Sequence, residues 1–189
     1  MSLEHAILGF LNYGPASGYD LKKTFDFSVQ HFWPADQSQI YRTLSRLEDK
    51  GWAEQELVEQ EDRPDRKVYH ITEAGQEELH RWLTTPLSPK ALREPRLIQV
   101  FFAGQLDDEE IIEMLERLAV AMRGTLARYD QVPQESAEYC DAVGQPREEF
   151  FWMLTLEWGI NATRSQLKWL EDIIRRIRNK EHPSLGGEN

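Results

Sequence analysis

The stretch from Asp36 to Gly51 constrains the fold of this chain more than any other segment. Apolar side chains recur at helical spacing at Ile40, Leu44 and Leu47, and aspartate is a residue type that caps the start of a helix. Gly51 ends the pattern, because a residue without a Cβ atom readily adopts the left-handed conformation that closes a helix. The segment therefore predicts an amphipathic helix with one apolar face and one face of hydrogen-bond donors.

Two strand-like segments, residues 52–58 and 67–72, follow this helix on either side of a polar turn. The turn and the start of the second segment carry three basic residues, Arg63, Arg66 and Lys67. A helix that could enter a groove, followed by a hairpin with a basic tip, is how winged helix-turn-helix proteins contact DNA.

Two further helices are expected upstream. Apolar spacing predicts the first over residues 2–12, and the second begins at Gly18, after a turn at Gly14-Pro15 that no helix can continue through. A fourth helix follows Thr72, and two prolines within residues 84–89 mark a domain boundary. Residues 1–85 are therefore expected to form a winged helix-turn-helix domain.

Residues 86–182 are expected to form a helical dimerisation domain, with a flexible tail at 183–189. A helix from Pro146 to about Lys180 carries apolar residues at alternating gaps of three and four, which is a coiled-coil pattern with Thr163 as its polar exception. Because further apolar surface lies outside this stripe, a partner helix from a second identical chain is the simplest way to cover it. The predicted dimerisation residues are Met153, Leu156, Ile160, Leu167, Leu170, Ile174 and Ile177. The expected fold class is mainly α, with a small β component (α+β).

The net charge of −11 argues against nucleic-acid binding if it is taken alone. Residues 1–85 hold nine basic and fifteen acidic residues, whereas DNA affinity depends on neutralising phosphates. We therefore expect binding that is modest per protomer, steeply salt-dependent and dependent on two copies. The charge also keeps open an alternative function, a protein-interaction adaptor that retains a winged-helix fold without binding DNA.

Taken in order, the motifs of the first 85 residues resemble the PadR family of transcriptional regulators. They are LGFL at 8–11, GP at 14–15, SGYDL at 17–21, IYRTL at 40–44, RLE at 46–48, KGW at 50–52 and KVYHITEAG at 67–75. The rest of the chain is similar to the helical C-terminal domain of longer members, also found in virulence-gene activators, through residues 93–103 and the two long helices that follow. This resemblance implies a homodimer and, as in many members, a repressor that a small molecule releases from DNA. In this family the hairpin is called the wing, which here spans residues 52–72. Its tip departs from the family's common glycine-rich sequence by carrying Asp62 and Asp65.

The predicted DNA-binding residues lie on the third helix, the wing and the second helix. Arg42 and Arg46 are four residues apart, so they share a face and could reach guanine edges or phosphates. Ser38 and Gln39 lie in the first turn, where free N–H groups and short side chains suit a phosphate. The full set is Lys22, Ser38, Gln39, Tyr41, Arg42, Ser45, Arg46, Arg63, Arg66 and Lys67. The alternative for this surface is a solvated helix face, with Arg46 in an intrahelical ion pair with Glu48 or Asp49.

Three tryptophans lie near the apolar stripe of the last helix, namely Trp152, Trp158 and Trp169. They could line a cavity for a small aromatic effector. The alternative, which we favour, is that they belong to the dimer core.

The sequence shows no motif for a metal site, an enzyme active site or a membrane-spanning segment. The five histidines show no HxxH or HxxxH spacing and Cys140 is the only cysteine, so neither a metal site nor an internal disulfide is expected. We expect no cofactor and no enzyme, because no phosphate-binding loop or nucleophile elbow is present. The chain has no apolar stretch of membrane-spanning length and no signal peptide, so a cytoplasmic protein without membrane contact is expected.

Overall fold

The computed structural model describes residues 2–59, 65–88, 93–135 and 146–181. These residues form two compact units, one ending at 88 and the other starting at 93. Arg63 and the predicted tail at 183–189 lie outside the described residues, and the predicted domain boundaries stay predictions.

The first unit contains four helices and a small sheet. Its elements are α1 (Ser2–Tyr13), β1 (Ala16–Ser17), α2 (Gly18–Phe27), α3 (Gln37–Asp49), β2 (Ala53–Val58), β3 (Arg66–Ile71) and α4 (Glu73–Thr84). The sheet is antiparallel with the order β1-β3-β2, and Tyr69 pairs with Ala16 on one side and Gln55 on the other. The predicted mainly helical fold with a winged helix-turn-helix is confirmed. The short strand β1 replaces part of an expected turn, because two residues are too few to show a strand period.

Capping boxes fix the starts of α2 and α3. The Ser17 hydroxyl accepts from the Asp20 backbone N–H at 3.2 Å while Asp20 Oδ2 accepts from the Ser17 N–H at 3.0 Å. In α3, Asp36 Oδ1 accepts from the Gln39 N–H at 2.8 Å, and Gln39 Oε1 accepts from the Asp36 N–H at 2.9 Å. Each box satisfies backbone donors that have no partner within the helix. At the far end of α3, Gly51 has a φ of +68°, the left-handed conformation that the sequence predicted.

One apolar core holds the first unit together. Its buried members come from α1, α2, α3, β2, β3 and α4 and the segment before α3, and they are Ile7, Leu8, Leu11, Leu21, Phe25, Ala35, Ile40, Leu44, Leu47, Ala53, Tyr69 and Leu79. The three apolar residues that defined α3 in the sequence are all fully buried here. The opposite face of α3 is consequently turned outward.

The second unit is helical. It contains α5 (Pro95–Phe102), a 3-10 turn (Ala103–Gln105), α6 (Asp108–Tyr129), α7 (Val132–Glu135) and α8 (Pro146–Arg178). Along most of its length α6 packs on α8, and the buried residues between them are Ile111, Leu115, Ala119, Met122, Leu170 and Ile174.

Much of the predicted dimer stripe is already covered within one chain. Leu156, Leu170 and Ile174 are buried, and Leu167 and Ile177 pack against the core that α6 and α8 share. Met153 and Ile160 are half-buried. The apolar pattern of α8 does not indicate that α6 of the same chain covers this stripe, and the dimerisation role of these residues stays a prediction.

A different apolar strip on α8 is exposed. Phe150, Phe151, Leu154 and Trp158 follow one another at helical spacing, with exposures of 59%, 49%, 41% and 68%. We call these four residues the α8 strip. Since buried Leu156 lies on the other side of the helix, α8 carries two apolar faces in its first half, and only one is covered by its own chain.

Across the residues described here, no helix combines the length and the apolar character that crossing a membrane requires.

Candidate nucleic-acid interface

The outward face of α3 is a strip of polar side chains on successive turns. Ser38, Arg42, Ser45 and Asp49 lie on it and are exposed, while Thr43 on the opposite side is fully buried. Residues three and four apart share a face of a helix, so these side chains form one continuous surface. All six predicted DNA-binding residues of α3 are exposed, namely Ser38, Gln39, Tyr41, Arg42, Ser45 and Arg46.

Arg42 is held by hydrogen bonds within its own helix. Its Nε donates to the Ser38 carbonyl at 3.2 Å, and one terminal nitrogen lies 3.5 Å from Ser38 Oγ. Ser38 in turn donates to Asp36 Oδ1 at 2.7 Å. This hydrogen bond and that from the Gln39 backbone lower the pKa of Asp36. No ion pair among the described residues includes Arg42, so its guanidinium is available to a ligand.

Arg46 is tied to α1 as well as to its own helix. One terminal nitrogen donates to Thr43 Oγ1 at 2.9 Å, and Nε lies 3.7 Å from Glu4 Oε1. The second oxygen of Glu4 accepts from Lys50 Nζ at 2.9 Å. Neither of the pairs with Glu48 and Asp49 that the sequence left open is formed, because the carboxylate that lies closest to Arg46 comes from the neighbouring helix.

Glu4 is a buried carboxylate with only 4% of its surface exposed. Burial raises the pKa of Glu4, but the hydrogen bond from Lys50 helps to outweigh that effect, and the pKa lies below its ordinary value. Glu4 therefore stays ionised and attracts two cations at the end of α3. Sequence reasoning missed this residue, because only the packing of α1 on α3 brings it there.

Tyr41 joins α3 to the start of α2. Its ring lies over Gly18, where an added Cβ would come within 2.5 Å of the Tyr41 Cε1 atom. The next residue, Tyr19, is 62% exposed at the first turn of α2. Tyr19 was not among the predicted residues, although its position in the first turn of α2 could have been inferred from the helix start at Gly18.

The other predicted cations of the first unit are mostly paired. Lys22 forms an ion pair with Asp26, and Arg66 at the base of the wing forms one with Asp20. Burial raises the pKa of Asp20, whereas the hydrogen bonds from Ser17 and Arg66 lower it. Together the hydrogen bonds and the charge of Arg66 outweigh burial, so the pKa lies below its ordinary value. Lys67 is exposed. The wing base thus contacts the start of α2 through Asp20, and α2 contacts α3 through Tyr41.

The three tryptophans of the predicted effector pocket do not share one cavity. Trp169 lines a cavity of about 340 Å³ between α5, α6 and α8, whose lining includes neither Trp152 nor Trp158. Trp158 belongs to the exposed α8 strip, and Trp152 is half-buried. The described residues contain no group of three or more metal-ligating side chains.

Comparison with known proteins bears on both units. Residues 7–81 match the Transcriptional regulator PadR-like family, and residues 92–178 match the family described as Virulence activator alpha C-term. A probable transcriptional regulator of Mycobacterium tuberculosis is 33% identical over 95% of this chain and 100% of that protein. The chain belongs to the PadR-like family of transcriptional regulators. The resemblance noted in the sequence is thus confirmed.

A second relative of this PadR-like chain is known in more detail. The negative transcriptional regulator PadR of Bacillus subtilis is 27% identical over 93% of this chain and 97% of that protein. Its crystal structure in complex with operator DNA has a TM-score of 0.80 at 28% identity, and covers 94% of this chain and 99% of that chain. Its structure in complex with p-coumaric acid has a TM-score of 0.75 at 26% identity, with the same coverage.

Proposed function

We propose that this PadR-like regulator is a homodimeric repressor that binds a pseudo-palindromic operator through α3 and the wing, and that a small aromatic effector releases it. Support comes from the B. subtilis relative, whose structures contain operator DNA in one case and p-coumaric acid in another. The cytoplasmic location expected from the sequence belongs to this proposal, because the operator lies there. No catalytic activity is part of it.

The observation that carries the proposal is the outward strip of α3. Arg42 is exposed, forms no ion pair with any carboxylate of the described chain, and lies one turn from Ser38 at the helix start. A guanidinium can bind guanine O6 and N7 with two hydrogen bonds, and a helix N-terminus suits a phosphate. Arg42 would then read a base while Ser38, Gln39, Tyr41 and Ser45 set the register on the backbone.

The remaining predicted cations act as backbone contacts in this proposal. Lys22 and Arg66 are paired with acids on the same unit, so each must exchange a carboxylate for a phosphate when DNA binds. Such an exchange gains less than a free cation would, and we therefore expect modest affinity per protomer. Two protomers are needed, with recognition helices about 34 Å apart to match successive major grooves.

The α8 strip is our proposed dimer surface. Four large apolar side chains on one helix face, from 41% to 68% exposed, form the kind of patch that marks a protein interface. The predicted stripe from Leu167 to Ile177 supports this surface indirectly, because its residues pack α8 against α6.

The test is DNA binding by a variant with both Arg42→Ala and Arg46→Ala. The probe is a duplex that the wild-type protein enriches from a random pool, measured by mobility shift at about 50 mM salt, where phosphate contacts are strong. We expect the double variant to lose at least about tenfold in affinity, since one bidentate base contact is worth about 1–3 kcal/mol. Arg117→Ala on α6, which removes one exposed cation of the other unit, should bind as wild type does.

Two outcomes would contradict the proposal. If the double variant binds the enriched duplex like the Arg117→Ala control and with the same salt dependence, α3 is not the recognition helix. If the wild-type dimer enriches no sequence and shifts no duplex at low salt, the adaptor suggested by the net charge of −11 is favoured instead.

A further inference from the structure

The cavity beside Trp169 has a charge arrangement that restricts what it can bind. We propose that it takes an uncharged aromatic molecule and rejects aromatic carboxylates, because its arginine is already neutralised by a glutamate. This inference rests on the effector part of the proposed function and adds the chemical class of the ligand.

The walls of the cavity are apolar and come from three helices of the second unit. Its volume of about 340 Å³ lies at the lower end of the range for small-molecule sites, which suits one ring with a short substituent. Its apolar lining consists of Leu97 and Val100 of α5, Leu118 and Met122 of α6, and Trp169 and Leu170 of α8. The indole of Trp169 is 43% exposed, so it offers a face on which a ring can stack.

The polar lining consists of two charged and two neutral side chains. Arg96 Nε donates to Glu94 Oε1 and its terminal nitrogen donates to Glu94 Oε2, both at 2.7 Å. This is the two-bond pairing in which a guanidinium and a carboxylate satisfy one another. Ser165 and Gln166 of α8 are the neutral members.

The Glu94–Arg96 pair is fixed to the start of α5. The same Glu94 oxygen Oε1 also accepts from the Arg96 backbone N–H at 3.3 Å, so the carboxylate caps the helix as well. Hydrogen bonds from the Arg96 side chain and backbone lower the pKa of Glu94 to about 2, so the carboxylate remains charged at physiological pH. The pair therefore contributes no net charge to the cavity.

A carboxylate ligand meets a cost at this site that a neutral ligand avoids. To reach Arg96 it must compete with Glu94, whose two oxygens already accept from Nε and one terminal nitrogen of the guanidinium. If it leaves the pair intact, it enters an apolar cavity as an uncompensated anion. A neutral ring avoids both costs, and an amide or hydroxyl on it can form hydrogen bonds with Ser165 and Gln166.

The test compares cinnamamide with cinnamate, which have the same ring and side chain but differ in charge. Binding to the full-length protein without DNA is measured by isothermal titration calorimetry at neutral pH. We expect cinnamamide to bind at least about tenfold more tightly than cinnamate to the wild-type protein. Trp169→Ala should weaken the binding of cinnamamide.

Glu94→Gln provides the sharper measurement, because it leaves Arg96 charged and without its carboxylate. We expect the preference to reverse, with cinnamate binding more tightly than cinnamamide. Glu116→Gln is the matched control: Glu116 pairs with Arg178 and lies outside the cavity lining, so the same change in charge should leave the preference as in wild type. Circular dichroism and thermal unfolding establish that each variant is folded. If Glu94→Gln does not fold, Arg96→Gln serves, and it should weaken cinnamate further while cinnamamide is retained.

The inference is overturned if neither compound binds, if cinnamate binds the wild type as tightly as cinnamamide, or if Glu94→Gln keeps the preference of its control. Each of these results is separable from failure of the proposed DNA recognition, which is measured by the mobility shift without any ligand. If cinnamamide binds but does not release the enriched duplex, the ligand class stands and the effector role of this cavity fails.

Discussion

Glu4 is the residue whose role differs most from what its position in the sequence indicates. It lies in the first turn of α1, yet its buried carboxylate faces Arg46 at 3.7 Å and Lys50 at 2.9 Å, at the end of α3. A phosphate would make the same kind of contact with these two cations. Glu4 therefore competes with the DNA backbone for charge that α3 would otherwise present.

We predict that Glu4→Gln raises the affinity of the protein for a random-sequence duplex several-fold. The substitution keeps the size of the side chain and removes its charge, which frees Arg46 and Lys50 for phosphates. The plot of log affinity against log salt should steepen by about two, since each of the two new phosphate contacts contributes about 0.9 to that slope. Glu116→Gln changes the net charge equally but lies in the second unit. Equal slopes for the two variants would show that Glu4 serves α1–α3 packing alone.

Asp20 gives a second prediction, on pH. Burial opposes the ionised form, but hydrogen bonds from Ser17 and Arg66 prevail, and the folded pKa lies below the ordinary value of 3.8. A carboxyl with a depressed pKa stabilises the fold above 3.8, and that contribution is lost as the pH falls through the folded pKa. We expect the unfolding free energy of wild type to fall more steeply below 3.8 than that of Asp20→Asn. Urea unfolding across the acid range measures this, and parallel curves would exclude Asp20 as the source.

At the scale of elements, the start of α4 packs unusually tightly on the segment that follows α3. A Cβ added to Gly75 would lie 2.1 Å from the Trp52 carbonyl oxygen and 2.8 Å from Ile71 Cγ1. The Gly75 N–H also donates to the Thr72 cap at 3.1 Å. Since Trp52 follows α3 and Ile71 ends β3, this one contact sets how α4 meets the wing.

We predict opposite signs for two glycine-to-alanine substitutions. Gly75→Ala should destabilise the protein by about 1–3 kcal/mol, because backbone atoms must move to admit the methyl group. Gly9→Ala in the middle of α1 meets no atom within 4 Å and should stabilise by about 0.5–1 kcal/mol through helix propensity. Both are measured by denaturant unfolding. Stabilisation by Gly75→Ala would mean that α4 is free to shift.

At the scale of the whole molecule, a homodimer explains how a protein of net charge −11 can bind DNA. Several cations of one protomer are already paired with acids, but in the proposed homodimer the two copies of α3 add their contacts on the same duplex. The dimer then determines both affinity and spacing, and any ligand that binds one dimer geometry better shifts the population toward it.

We predict that replacing both Leu154 and Trp158 with Glu produces a folded monomer. The two side chains are 41% and 68% exposed in one chain, so the change should leave α8 on α6 while placing carboxylates from both protomers in the proposed dimer interface. Analytical ultracentrifugation should give the mass of a monomer for this variant. Its affinity for the operator should be lower than that of the wild-type protein. Leu57→Glu on the wing, 55% exposed in the other unit, is the control for adding acid and should remain dimeric. A double variant that remains dimeric would place the interface elsewhere.

The sequence by itself determined the local elements of the first unit. The spacing of Ile40, Leu44 and Leu47, the cap at Asp36 and the left-handed Gly51 predict α3 nearly to its ends, because these signals act within a few residues of one another. The outward face of the helix follows directly, since burying one side exposes the other. The exposure of Arg42 and Ser38 therefore follows from the helical period alone.

Only the tertiary structure decided which charges meet and which apolar face is covered. Glu4 reaches Arg46 because α1 packs on α3, a contact between residues far apart in the chain that no local pattern records. On α8, two apolar faces of similar composition run side by side, and the packing of α6 covers one of them and leaves the α8 strip exposed. The physical reason is the same in both cases: periodicity defines the faces of a helix, but long-range packing chooses the partner of each face.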